Sequence, residues 1–394
     1  MTAMSASMLT LIIGQICLHS CMAGVRLAAP LQVLRDSHSA WSVGVLLGLF
    51  AAAPVLLALR AGRFADRYGY HRPVQVAVGL TVLGAVSAVL STVWPAASFW
   101  TLCVAAILTG AGANIGLIAI QRSAGRSAHD VAEMRRVFSW LGLAPALSNM
   151  VGPVLAGTLI DVGGFGVAYA ALMCLPLLCL WSARRVPVEA LADRSSDKPN
   201  RSSWDLLRTP GLWRLLLVNW LLSASWDVHT FIVPILGHER FFSASAIGWV
   251  LGVFALAVAL VRLLIPLLTR RLSESQVLVG SMLSTGAVFA VYPLVHSAVV
   301  MAMCAMLLGL ALGAVQPMIM TALHQLTPRD RHGEAIALRS MTINASSTLM
   351  PLLFGWIGAV LGAATLFWVM GAAVSVGSVL AQRVGRSNRH AGGA

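Results

Sequence analysis

Twelve times along this chain a run of about twenty mostly apolar residues is bounded by charge, glycine or proline. The runs fall at 8–31, 41–60, 74–94, 99–121, 137–160, 166–183, 211–236, 244–268, 276–295, 298–321, 336–360 and 363–382. A helix of that length crosses the hydrocarbon core of a bilayer, about 30 Å thick. Composition agrees: 58% of the 394 residues are hydrophobic, only 10% are charged, and the mean hydropathy is +0.83. That is more apolar surface than a soluble domain can bury. The expected fold is an all-α integral membrane protein of twelve transmembrane helices.

Charge sets the expected orientation. The formal net charge is +13, which in a soluble protein would suggest nucleic acid. Here the arginines gather in alternate inter-helix segments: Arg60 to Arg72, Arg122 to Arg136, Arg184 to Arg208, Arg270 with Arg271, Arg329 with Arg331, and Arg383 to Arg389. The intervening loops carry little charge, such as Arg35 with Asp36, or Asp161 alone. Basic loops stay on the cytoplasmic side. A multi-pass protein of the bacterial inner (plasma) membrane with both termini cytoplasmic is expected, and nucleic acid is excluded as a partner. The N-terminus has no basic region before its apolar stretch, so the first run is expected to remain as a helix. Cys17, Cys21, Cys103, Cys174, Cys179 and Cys304 all lie in apolar runs, where they act as small hydrophobes; no metal and no cofactor is expected.

The one long hydrophilic stretch, Arg184 to Thr209, sits near the middle of the chain and reads as a cytoplasmic linker. It divides an N-terminal six-helix bundle (1–183) from a C-terminal one (211–394), with the linker at 184–210. The halves repeat. At a shift of 204 residues Pro30, Ser39, Gly44, Gly48 and Phe50 meet Pro234, Ser243, Gly248, Gly252 and Phe254. At a shift of 198, Ser148, Pro153, Gly157 and Gly164 meet Ser346, Pro351, Gly355 and Gly362. Parallel repeats of this kind suit transporters that rock about a central site.

The segment after the second run reads Gly62-Arg63-Phe64-Ala65-Asp66-Arg67-Tyr68-Gly69-Tyr70-His71-Arg72. It resembles the G-x-x-x-D-R-x-G-R-R loop of the major facilitator superfamily. The resemblance implies a fold of two pseudo-symmetric six-helix bundles, usually monomeric. It also implies a gating latch built from Gly62, Asp66, Arg67, Gly69 and Arg72. The fifth run carries Ser148, Gly152, Pro153 and Gly157, similar to the G-x-x-x-G-P-x-x-G-G pattern of the family's exporters with Ser148 and Ala156 replacing two glycines. Its small residues favour close helix packing, and Pro153 is expected to make a hinge or seal. In the fourth run Ala106 stands where proton-antiporting members commonly carry an arginine.

Ionisable groups within a span usually have a functional reason. Asp227, in Ser223-Ala224-Ser225-Trp226-Asp227-Val228-His229, is the one carboxylate well inside a run and the leading candidate for binding proton or substrate. Arg26 falls one helical turn beyond the position equivalent to Asp227, where it either faces a central cavity or reaches the headgroups. Arg262, nearer the cytoplasmic side, reads as structural. His19 is a candidate proton relay. Trp226, Asn114, Asn149, Asn219, Gln316 and Asn344 complete the candidate lining.

The expected function is secondary transport by alternating access, as proton-coupled efflux of a small amphipathic or drug-like molecule. The alternative is uptake or exchange of a small organic anion. No H-E-x-x-H or G-x-S-x-G motif supports an embedded enzyme.

Overall fold

The computed structural model describes residues 6–36, 38–126, 131–186, 203–209, 211–268, 273–327 and 332–391. Most of the expected linker, and the loops at 269–272 and 328–331, lie outside the described residues. The helices in order are α1 (Ala6–Arg35), α2 (Ala40–Tyr68), α3 (His71–Val93), α4 (Ser98–Arg126), α5 (Val131–Ala183) and α6 (Leu212–Glu239). They continue as α7 (Ala244–Leu268), α8 (Glu274–Val291), α9 (Ala298–Gly313), α10 (Val315–Leu326), α11 (His332–Leu361) and α12 (Ala363–Ala391).

These helices do not map one to one onto the apolar runs. Among the described residues, eleven stretches are long and apolar enough to span, and one of them, Leu143–Ala183, holds 41 residues. At 1.5 Å per residue that is about twice the thickness of the hydrocarbon core, so it holds two crossings. The fifth and sixth runs were separated by an expected connection; instead a single residue, Gly164 at φ 78° and ψ 179°, turns the chain. Both arms flank α1. Ser148 and Gly152 of the first arm meet α1 at Ile16 and Ser20. Gly14 and Gly24 of α1 meet Cys179 and Leu172 of the second arm, which therefore runs antiparallel to α1. Conversely, α9 and α10 form one crossing interrupted at Ala314. Pro317 sits in the first turn of α10, where a missing N–H breaks no helical bond. The result is twelve crossings.

Helices α1 to α5 pack as one bundle and α6 to α12 as another, and two antiparallel seams join them, α2 with α11 and α5 with α7. Backbone approaches side-chain distance at both. A Cβ built on Gly44 of α2 would lie 2.5 Å from the Pro351 carbonyl oxygen of α11, and one on Gly248 of α7 would lie 2.5 Å from the Pro153 carbonyl oxygen of α5. Gly157 abuts the Ala244 carbonyl on the second seam, and Gly355 abuts Gly44 on the first. All these contacts lie towards the ends where α2 and α7 begin. At that end the Asp161 carboxylate accepts backbone hydrogen bonds from Ala244 (3.0 Å) and Ser245 (2.8 Å), capping α7 of the opposite bundle. Gln32 adds a buried polar tie within the first bundle, its amide donating to the Ser91 and Ser98 hydroxyls at 3.0 and 3.1 Å.

Candidate transport cavity

Between the bundles lie two connected chambers, of about 310 and 570 Å³. They share Arg26, Asn149, Trp226 and Ser347, which form the junction. The smaller chamber is largely apolar, with Leu27, Phe50, Leu251 and Phe254 in its wall. Trp226 meets Phe254 edge-on at 4.6 Å, and Phe254 lies 4.4 Å from the buried His229 ring. His229 in turn hydrogen-bonds the Tyr292 hydroxyl at 3.1 Å, which fixes this aromatic wall from behind. The larger chamber carries the charge. Among the described residues its ionisable lining is Arg26, Asp227, Arg262 and Arg339, and its lining includes the exposed Gln121 and Gln316.

The ten residues expected at the binding site all line these chambers. His19, Asn114 and Asn344 line the smaller; Asn219, Asp227, Arg262 and Gln316 line the larger; Arg26, Asn149 and Trp226 line both. The two placements left open for Arg26 resolve towards the cavity. Arg262, read from the sequence as structural, lines the larger chamber, where its Nη2 donates to Gln316 Oε1 at 3.2 Å. Asp227 is 6% exposed and accepts a hydrogen bond from Ser346 Oγ at 3.2 Å, with Ser347 beside it. It interacts electrostatically with Arg26 across the space between α6 and α1, without a close ion pair among the described residues. His19 Nδ1 and Asn114 Nδ2 have no hydrogen-bond partner among the described residues and are buried at the smaller chamber.

Arg339 was not singled out from the sequence. It is 8% exposed, and its Nε donates to Asn219 Oδ1 at 3.2 Å, tying α11 to α6. A signal was present: residues 339, 343 and 347 recur every four positions and all line the larger chamber.

The loop motif lies away from the chambers. Gly69, at φ 69°, ends α2 and its N–H bonds the Ala65 carbonyl at 3.0 Å, as the tight turn required. The Arg67 and Arg72 guanidinium groups sit 5.3 and 5.0 Å from the Tyr68 ring centroid. Gly62 faces open space, and the Asp66 side chain lies outside what is described. The helix-five motif divides by face. Ser148, bonded to the Ala144 and Ile16 carbonyls, and Gly152 pack on α1, whereas Pro153 and Gly157 build the seam with α7. The helix continues through Pro153, and its non-helical dihedrals come eleven residues later at Gly164.

Comparison with known proteins places this architecture. Relatives include the "Enterobactin exporter EntS" of Salmonella choleraesuis (strain SC-B67), 24% identical over 350 residues, covering 85% of this chain and 81% of that protein. The protein of the same name from Escherichia coli O1:K1 / APEC is 23% identical over 349 residues, with the same coverage. Among solved structures, a bacterial homologue of the iron transporter ferroportin in an inward-facing state aligns with a TM-score of 0.74 at 17% identity, over 96% of this chain and 98% of that one. A bacterial metal transporter aligns with a TM-score of 0.73 at 15% identity, over 98% and 100%. The family model described as Major Facilitator Superfamily matches residues 11–241 and 215–392. The chain belongs to the major facilitator superfamily and is a multi-pass membrane secondary transporter, not an enzyme.

Proposed function

We propose that this transporter exports a small organic molecule by alternating access, in exchange for protons, and that the structure is its inward-open state. The observation that carries the reading is the pair of glycine–proline seams. Both close the same end of a central cavity whose opposite rim holds exposed glutamines. The open end is the one where α2 ends and α3 begins, beside Arg67 and Arg72, and the positive-inside rule assigns the arginine-rich segments of the sequence, with both termini, to the cytoplasm. Export is supported by the relatives, which carry the name exporter. In the opposite state the seams part, and the loop of Gly62, Asp66, Arg67, Gly69 and Arg72 latches the cytoplasmic end. Asp227 carries the exchanged proton, held by Ser346 and facing Arg26, and the protein works as a monomer.

Purified protein in liposomes with a trapped pH-sensitive dye tests this. Addition of organic substrates should move protons in protein-containing liposomes only, and Asp66→Asn should slow turnover more than it weakens binding. Substrate flux without proton movement would overturn the exchange mechanism. Unimpaired turnover in Asp66→Asn would overturn the latch.

A further inference from the structure

We infer that the smaller chamber takes a planar aromatic group of the substrate, held between Trp226 of the second bundle and Phe50 of the first. The inference deepens the transport reading above and rests on it. The chamber lies where the two halves of the repeat face each other. At the shift of 204 residues Phe50 meets Phe254, Met22 meets Trp226 and Arg26 meets Thr230, and all six line it. The last two pairs differ in chemistry, whereas phenylalanine stands in both halves of the first. Helix packing places these two residues without requiring a ring. A Cβ on Gly110 of α4 would meet the Phe50 carbonyl oxygen, and one on Gly309 of α9, 199 positions on, would meet the Phe254 carbonyl oxygen. Any residue at 50 or 254 offers that backbone oxygen, so the contact leaves the choice of side chain open, and both rings reach the chamber wall.

The wall on the second bundle is braced. The half-buried Trp226 stands at the junction of the chambers and meets Phe254 edge-on at 4.6 Å. Behind it the rings continue from Phe254 to His229 at 4.4 Å, and from His229 to Tyr292 through their 3.1 Å hydrogen bond. Tyr292 then stacks on Phe367 of α12 at 4.6 Å. An indole supported in this way loses little freedom when a flat ligand lies on it, the condition under which an aromatic contact adds most to affinity. The first bundle places Met22 at the position equivalent to Trp226, and its unbranched thioether adjusts to a ring edge. At about 310 Å³ the chamber falls at the lower end of the range for organic ligands, about 300–1,000 Å³, which suits one fused ring system. Trp226 and Phe50 belong to different bundles, so a ring bound between them bridges the two parts that rock.

Equilibrium dialysis of the purified protein in lipid nanodiscs, with protein-free nanodiscs as the blank, tests the inference with two neutral alcohols of similar outline. 2-Naphthol is flat and aromatic; trans-decahydro-2-naphthol has the same fused frame, saturated. 2-Naphthol should bind about fivefold or more tighter, the scale of a single aromatic contact, whereas burial of apolar surface alone would favour the saturated alcohol. Trp226→Leu and Phe50→Leu should each bring the two affinities to within about twofold. Trp226→Phe, which retains a ring, should keep most of the preference. The comparison in the parent protein depends on no variant's folding, and the phenylalanine variant separates the ring from mere bulk. Equal or tighter binding of the saturated alcohol, binding of neither, or a preference unaltered in both leucine variants would overturn the inference. So would a loss in Trp226→Phe as complete as in Trp226→Leu. Proton movement down an imposed gradient is read separately in liposomes, against protein-free ones. Ring-selective binding without proton movement would support the inference and count against the transport reading. Proton movement with both alcohols alike would overturn the inference and leave the transport reading standing.

Discussion

Gly248 of α7 lies so close to Pro153 of α5 that a Cβ on the glycine would stand 2.5 Å from the proline's carbonyl oxygen. Gly44 and Pro351 repeat the contact at the same distance on the other seam. The sequence repeat relates the two pairs: Gly44 corresponds to Gly248, and Pro153 to Pro351. One helix–helix contact thus exists in two copies, one on each side of the cavity. Each copy requires a residue without a side chain, because the obstacle is backbone and cannot swing aside.

Alanine at Gly44 or Gly248 is therefore expected to destabilise the state closed at this end, by roughly the 1–3 kcal/mol of an overpacked contact. Spin labels at Val162 and Phe241, exposed on opposite bundles, report the separation. The distance distribution should broaden towards longer values in either variant, and more so in the double variant. Distributions that match the parent protein would remove these glycines from the gate.

The seams differ in one respect. Asp161 caps α7, whereas the residue equivalent to it in the second half is Ala359, at the α2 seam. Loss of a helix cap costs about 1 kcal/mol, and asparagine caps nearly as well as aspartate. Asp161→Ala is expected to shift the conformational equilibrium about fivefold away from this state, and Asp161→Asn much less. The same labelled pair measures it. An equal shift in the two variants would mean that the carboxylate's charge, rather than its acceptors, holds the seam.

What the sequence made legible follows from period and spacing. Runs of about twenty apolar residues placed every crossing, and the repeat identified the glycines and prolines that now form the seams. Polar residues inside apolar runs are conspicuous, which is why Asp227, Arg26 and Asn149, all in the cavity wall, stand out in the sequence alone. The hairpin of α5 was not legible as continuous helix, because one glycine with an unusual dihedral does the work of a loop. Arg339 was missed because it stands near the start of its run, where an arginine resembles the flanking basic loop; only its face, shared with Ile343 and Ser347, distinguishes it. The partner of Asp161 was invisible, since capping here joins residues 83 and 84 positions apart through backbone N–H groups that carry no sequence signature.

Asp227→Asn retains size and the capacity to accept from Ser346 but cannot ionise. Substrate counterflow, which needs only the rocking of loaded protein, should persist in this variant. Accumulation driven by a pH gradient should be lost. Gradient-driven transport at the parent's rate would transfer the coupling role to His19, whose Nδ1 is buried at the smaller chamber.

Three glycines with open space around them separate backbone strain from packing. At Gly164, Gly362 and Gly280 an added Cβ would meet nothing within 4 Å. Gly164 and Gly362 have φ of +78° and +86°, turn the chain between the last two crossings of each half, and are equivalent by the repeat. Such dihedrals cost a residue with a side chain about 1–3 kcal/mol. Gly280 lies within the regular helix α8, where alanine is favoured over glycine by about 1 kcal/mol. Identical substitutions should therefore differ in sign. Gly164→Ala and Gly362→Ala should lower the midpoint of thermal unfolding in detergent, and Gly280→Ala should leave it unchanged or raise it. A loss at Gly280 as large as that at Gly164 would mean that the methyl group meets lipid or a neighbouring copy, and that the sharp turns carry no special backbone requirement.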